Sequence, residues 1–205
     1  LQADARAIPL NDQSVQCVVT SPPYWGLRDY GMGKEQLGLE PTPDLYVQHL
    51  VEIFREVRRV LRDDGTVWLN LGDSYTAGGR GGSPKQATNK GSLLGPHTAP
   101  PGFKPKDLVG MPWRVAFALQ NEGWILRSYI IWHRPSKSES VKDRPTHAHE
   151  YIFMFAKSQW YYYDQSALRT STGANIQSVW TVGGSPFTGA HFAVFPCELI
   201  EPIVL

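Results

Sequence analysis

Between residues 14 and 74 the chain passes through an apolar run, an amphipathic run and a second apolar run, and this order constrains its fold more than any other feature. SVQCVVTS (14 to 21) is valine-rich with loose alternation, the pattern of a buried strand. In TPDLYVQHLVEIFREVRRVLRDDG, Thr42 suits a helix N-cap and Pro43 the first helical position. Leu50, Phe54, Val57 and Leu61 recur at spacings of four, three and four, which is one helical face, and Gly65 is the expected stop. TVWLNLGDS (66 to 74) predicts a second strand. Strand, helix and strand in this order imply a right-handed parallel crossover and hence an α/β sheet.

The remainder continues the alternation. KDLVGMPWRVAFALQNEGW predicts a helix ended by Gly123, with Val115 and Leu119 on its apolar face. WILRSYIIWHRP and HEYIFMFAKSQWYYYD predict two strands, SVWTVGG (178 to 184) a short strand or pocket edge, and FPCELIEPIVL a helix opening at Pro196. Residues 76 to 106 differ in kind. They are rich in Gly, Pro and Ser, carry Arg80, Lys85, Lys90, Lys104 and Lys106, and contain no acidic residue. They read either as a surface loop or as a basic flap that tracks phosphates.

With 205 residues the chain is one domain, or one domain less a piece. A net charge of +1 points to no partner, so any nucleic-acid argument rests on local clusters. Cys17 and Cys197 are too few for a disulfide scaffold or a four-cysteine zinc site, and the histidines show no ligand spacing with them. No apolar run approaches a membrane span and no signal peptide is visible, so a cytoplasmic protein is the default. The chain opens at Leu1 and stops inside the apolar CELIEPIVL, which reads as clipped.

The predicted first strand runs straight into Ser21-Pro22-Pro23-Tyr24-Trp25. Adjacent prolines set two backbone angles and remove two N–H donors, leaving carbonyls held in place and free to accept. An exocyclic amine of a nucleobase is a poor nucleophile because its lone pair is delocalised into the ring. Preorganised acceptors on both N–H bonds draw that nitrogen toward tetrahedral geometry, and they need no reorganisation during the reaction. The Pro22 carbonyl and the Ser21 hydroxyl meet that need, and Tyr24 can stack on a base swung out of a duplex. Trp25 either lines the same pocket or packs over the turn. Ligands in open α/β sheets bind beyond the carboxyl ends of strands, where Ser21 is expected.

TSPPYWGLRDYG closely resembles the catalytic motif of DNA methyltransferases that methylate amino groups with S-adenosyl-L-methionine, in the circularly permuted group whose catalytic half precedes the cofactor half. The blocks VRRVLRDDGTVWLNLGDSY, KPKDLVGMPWRVAFALQNEGWILRSYIIWHRP, ESVKDRPTHAHEYIFMFAKSQWYYYD and SVWTVGGSPFTGAHFAVFPCELIEPIVL resemble that family in the expected order. The likeness leaves out only about 76 to 102 and 165 to 176. It implies a Rossmann-like methyltransferase fold with a mostly parallel sheet, permuted and truncated at its C-terminus. It makes Ser21, Pro22 and Tyr24 the catalytic platform, with Pro23 stiffening the turn, and puts Trp132 at the target-base pocket. His191, Phe195, Pro196 and Leu199 fall in the block near the methionine end of the cofactor, and Asp4 at a position often near its adenine. Arg80, Lys85, Lys90, Arg134 and Lys137 are the candidate DNA contacts.

The family's Asp-Pro-Phe run leading to Gly-x-Gly is expected after Leu205, and the usual long target-recognition insertion is short. Serine at position 21 is associated in the family with cytosine N4 rather than adenine N6. The resemblance therefore implies a cytoplasmic, bacterial or phage-encoded enzyme acting on double-stranded DNA, with a possible cognate restriction endonuclease. The alternatives are an adenine enzyme and a non-catalytic DNA-binding remnant. GGRGGS (78 to 83) is no dinucleotide fingerprint, because position 84 is proline. Cys197 in FPCE is not a carbon-5 nucleophile, since that thiolate belongs at the catalytic strand end.

Overall fold

The computed structural model describes residues 2–76, 99–135, 139, 141–169, 172–183 and 195–204. Its regular elements are β1 (Val15–Thr20), α1 (Pro43–Val60), β2 (Leu61–Leu71), α2 (Met111–Asn121), β3 (Ile125–His133), β4 (His149–Ala156), β5 (Val179–Thr181) and α3 (Cys197–Val204). The strands form one sheet in the order β1-β2-β4-β3-β5.

β1 and β2 are parallel, joined through α1 as the sequence predicts. β4 is antiparallel to both β2 and β3, and β5 is parallel to β3. β1, β2, β3 and β5 thus run in one direction and β4 alone against them, so the described sheet is mostly parallel, as predicted, with one reversed strand. Among the described residues the connection from β3 to β4 holds no helix, and the chain returns beside the strand it has just left. β1 and β5 are the edge strands of the described sheet.

Side-chain alternation divides the core in two. Val67, Leu69, Leu71, Phe153 and Phe155 face α1 and α2, meeting Leu50, Phe54, Val57, Val115 and Leu119. Trp68, Ile130, Trp132, Ile152 and Met154 face the other way and bury Leu199 of α3.

Two helix boundaries move from their predicted places. α1 stops at Val60 and β2 starts at Leu61, so Gly65 lies inside the strand instead of closing the helix. Gly65 is needed for close approach: a Cβ there would lie 2.7 Å from Leu61 Cγ and 2.9 Å from the Gln16 carbonyl oxygen. α2 starts at Met111, later than the pattern suggests. Gly110 ahead of it is left-handed (φ 70°) and carries no capping side chain. Asp73, in the loop just after β2, supplies the cap by accepting from Met111 N (3.0 Å). Burial raises the pKa of this carboxyl, and the amides of Met111, Ser74 and Gly110 oppose that shift. The strand predicted through YYYD ends at Ala156.

Candidate active site

The topology brings four segments to one edge of the sheet. β1 and β2 are parallel, so their C-terminal ends lie together. β4 is antiparallel to β2 and begins at that edge, and β3, antiparallel to β4, ends there. Ser21 to Tyr24, Asn70, Glu150, Trp132 and Arg134 consequently line one cleft of about 2030 Å³.

Two carbonyls of the proline turn, those of Pro23 and Tyr24, are held by hydrogen bonds. The buried Tyr46 of α1 donates from its hydroxyl to the Pro23 carbonyl (2.9 Å). Leu27 N donates to the Tyr24 carbonyl (3.3 Å), and Gly26 N donates to the Gly38 carbonyl behind the turn (2.8 Å). Among the described residues no donor reaches the Pro22 carbonyl. Pro22 lines the cleft wall, with the exposed Ser21 beside it.

Tyr24 is fixed at both ends. Its ring lies so close to Gly72 that a Cβ there would come within 2.5 Å of Cε2. Its hydroxyl is 2.8 Å from Asn70 Oδ1 and 2.7 Å from Glu150 Oε2, and Ser21 Oγ is 3.3 Å away. Burial, then the neighbouring Glu150 charge, pushes the Tyr24 hydroxyl well above the usual phenol range. Glu150, only 7% exposed, receives Arg134 Nη1 at 2.6 Å through Oε1. The Arg134 guanidinium lies 4.9 Å over the Trp132 ring.

Sequence reasoning misses Asn70 and Glu150. A signal is nevertheless present: Asn70 is a buried polar residue following Trp68 in its row on β2, and Glu150 precedes the apolar Ile152 and Met154 on β4.

The remaining candidates divide. Trp132 lines the cleft but is 4% exposed, with its indole N–H donating to the Val182 carbonyl (2.9 Å). Phe195, Pro196 and Asp4 also line the cleft. The Asp4 carboxylate is held by Arg6 (2.8 Å), whose hydrogen bonds lower its pKa. Trp25 is not among the residues that line the cleft: it packs in the α1/α2 core and donates to the Glu40 carbonyl (2.9 Å). Leu199 is fully buried beneath the opposite sheet face and does not reach the cleft either. Arg134 has its charge committed to Glu150, which weakens it as a phosphate contact. Arg80, Lys85, Lys90, Lys137 and His191 lie outside the described residues. Of the basic segment's two described lysines, Lys106 pairs with Asp143 at 2.6 Å.

The proline turn and its clamped aromatic ring thus lie at the strand ends of an α/β sheet, where open α/β sheets bind ligands. The sequence profile of the DNA methylase family matches residues 15–205, and the chain belongs to that family. It is 54% identical over 199 residues to the Type II methyltransferase M.Cfr9I of Citrobacter freundii, covering 94% of this chain. The chain spans 66% of that relative's length, a little under two thirds. Among solved structures it resembles the PvuII DNA methyltransferase (cytosine-N4-specific), with TM-score 0.67, 20% identity, and coverage of 96% of this chain and 64% of the other. It also resembles a putative DNA modification methylase of Thermus thermophilus solved with S-adenosyl-L-methionine, with TM-score 0.61, 23% identity and coverage of 98% and 70%. Both likenesses concern the fold. No described helix is long and apolar enough to cross a membrane.

Proposed function

We propose that the protein transfers a methyl group from S-adenosyl-L-methionine to the exocyclic N4 amine of cytosine in double-stranded DNA, as the modification partner of a cognate restriction endonuclease. The observation that carries this reading is the Pro22 carbonyl, which receives no donor from the described residues and stands beside Ser21 on the cleft wall. The Type II names of the relatives support the pairing with a nuclease.

The cleft suits a nucleoside cofactor as well as a base. Its volume of about 2030 Å³ exceeds the roughly 300–1,000 Å³ of a single small-ligand pocket. Phe195 and Pro196 on one wall and the N-terminal segment with Asp4 on another are the residues that would hold the cofactor. When bound, S-adenosyl-L-methionine supplies an electrophilic methyl group on a sulfonium centre. The chain's own residues do the rest. Pro22 O and Ser21 Oγ accept the two N–H bonds of the amine and so direct its lone pair outward. The Tyr24 ring offers a stacking face for the extruded base, a contact worth about 1–3 kcal/mol. Positioning alone can supply effective molarities of roughly 10⁵–10⁸ M. Serine at position 21 favours cytosine over adenine through the family association noted above.

The test is to express the full-length protein and map modified bases in host DNA by long-read sequencing. N4-methylcytosine at one recognition sequence is the expected result, with Ser21→Ala lowering the rate by roughly 10²-fold or more. N6-methyladenine would replace the base assignment, and unmodified DNA would overturn the activity.

A further inference from the structure

Around the Tyr24 hydroxyl, proton counting gives a single solution. The group has one proton and three oxygen neighbours: Asn70 Oδ1 at 2.8 Å, Glu150 Oε2 at 2.7 Å and Ser21 Oγ at 3.3 Å. The Asn70 amide is oriented by its Nδ2, which donates to the Tyr151 carbonyl (3.0 Å), so its oxygen faces Tyr24. Glu150 is oriented by Arg134, which takes Oε1 and leaves Oε2 for Tyr24. Both of these neighbours accept, and the tyrosine proton must point to one of them. Burial, then the Glu150 charge, keeps that proton on the phenol. The contact from Ser21 can then form only if serine is the donor, with Tyr24 Oη accepting.

We infer that Asn70 and Glu150, acting through the Tyr24 hydroxyl, are positioning residues that make Ser21 Oγ a dedicated hydrogen-bond acceptor in the cleft. The Ser21 proton is directed at Tyr24, so its lone pairs face the incoming base together with those of the Pro22 carbonyl. Two acceptors receive an NH₂ group and repel a keto oxygen. The cluster thus reads the functional group at the reacting position: it admits the amino base and rejects its keto analogue. A serine hydroxyl without this constraint could rotate and donate to either. This inference rests on the amine-methylating reading above and names how that site discriminates.

The test uses the full-length protein at its mapped recognition sequence. Tyr24→Phe keeps the stacking ring and releases the Ser21 proton. Its kcat is expected to fall roughly 10- to 100-fold with the KM for DNA within about twofold of wild type. Equilibrium binding is measured on duplexes carrying either the natural target base or its keto analogue, uracil for cytosine or hypoxanthine for adenine. The wild-type preference for the amino base should narrow by about tenfold in Tyr24→Phe. Glu150→Gln turns an amide donor onto Tyr24 Oη in competition with Ser21; it should lower kcat similarly, and that loss should vanish in the Tyr24→Phe background. Wild-type kcat or an unchanged preference in Tyr24→Phe overturns the inference, whatever the folding of the Glu150 variant. A Glu150→Gln loss that persists undiminished in Tyr24→Phe overturns it as well. A wild-type protein that modifies no DNA fails at the underlying reading and takes this inference with it.

Discussion

Tyr24 is held by its hydroxyl at one end and by the absence of a side chain at the other. Gly72 follows β2, and any Cβ there would stand 2.5 Å from Tyr24 Cε2 and 2.9 Å from Cδ2. A ring anchored through Asn70 and Glu150 cannot swing aside without losing those contacts. Gly72→Ala should therefore cost about 1–3 kcal/mol of stability through overpacking. The loss of methyl transfer should be larger than that stability cost explains, at least roughly tenfold in kcat under conditions where the variant is folded. Thermal denaturation alongside kinetics separates the two effects, and a folded Gly72→Ala variant with wild-type kcat refutes the clamp. At this scale the turn from Ser21 to Tyr24 at the end of β1 was legible because proline restricts the backbone whatever surrounds it. Trp25 was not, since an aromatic beside a turn packs inward or outward according to what lies beneath. Here it meets the carbonyl of Glu40 and the α1/α2 core.

The elements were legible in kind and order, and their ends were not. Helix periodicity continues through Leu61, yet that residue is already the first of β2, because pairing with Val15 of β1 offers its backbone a sheet partner. Between the pairs Val15–Leu61 and Cys17–Thr66 the register shifts, and Gly65 sits in the displaced loop of backbone against Gln16. A methyl group at position 65 meets a backbone oxygen at 2.9 Å, which cannot rotate away as a side chain can. Gly65→Ala is expected to lower the unfolding free energy by about 1–3 kcal/mol. Urea denaturation would register this as a lower midpoint at constant slope. An unchanged midpoint would show that the β1–β2 register tolerates the methyl group. The start of α2 escaped sequence reading for a related reason: its cap is Asp73, 38 positions earlier in the loop after β2.

Across the whole molecule, the N-terminal segment forms part of the cleft wall and is tied to α1 by two side chains, Arg59 and Glu56, the latter accepting from Ile8 N (3.2 Å). Arg59 donates to the carbonyls of Leu10 (3.0 Å) and Ile8 (2.7 Å) while pairing with Asp12 and Glu56. Exposed ion pairs contribute little, but a charged donor on two backbone carbonyls holds a segment that has few other anchors. Arg59→Ala should speed amide hydrogen exchange between residues 5 and 13 by roughly tenfold, leaving β2 and β4 unchanged. Equal protection of that segment in both proteins would rule the clamp out. Loosening this wall should also weaken any ligand held against Asp4.

What the sequence determined by itself is local: the strand–helix–strand order, the apolar faces and a proline turn with nowhere to go but a strand end. These follow from backbone sterics and side-chain periodicity, which act over a few residues. Only the tertiary structure decided that Asn70, Tyr24, Arg134 and Glu150 share one hydrogen-bonded cluster. It also decided that Trp25 and Leu199 belong to the core and that β4 runs against its neighbours. Those outcomes depend on which strands lie side by side, and a buried polar residue reveals its purpose only when its partner, 126 positions away in the case of Tyr24 and Glu150, arrives to satisfy it.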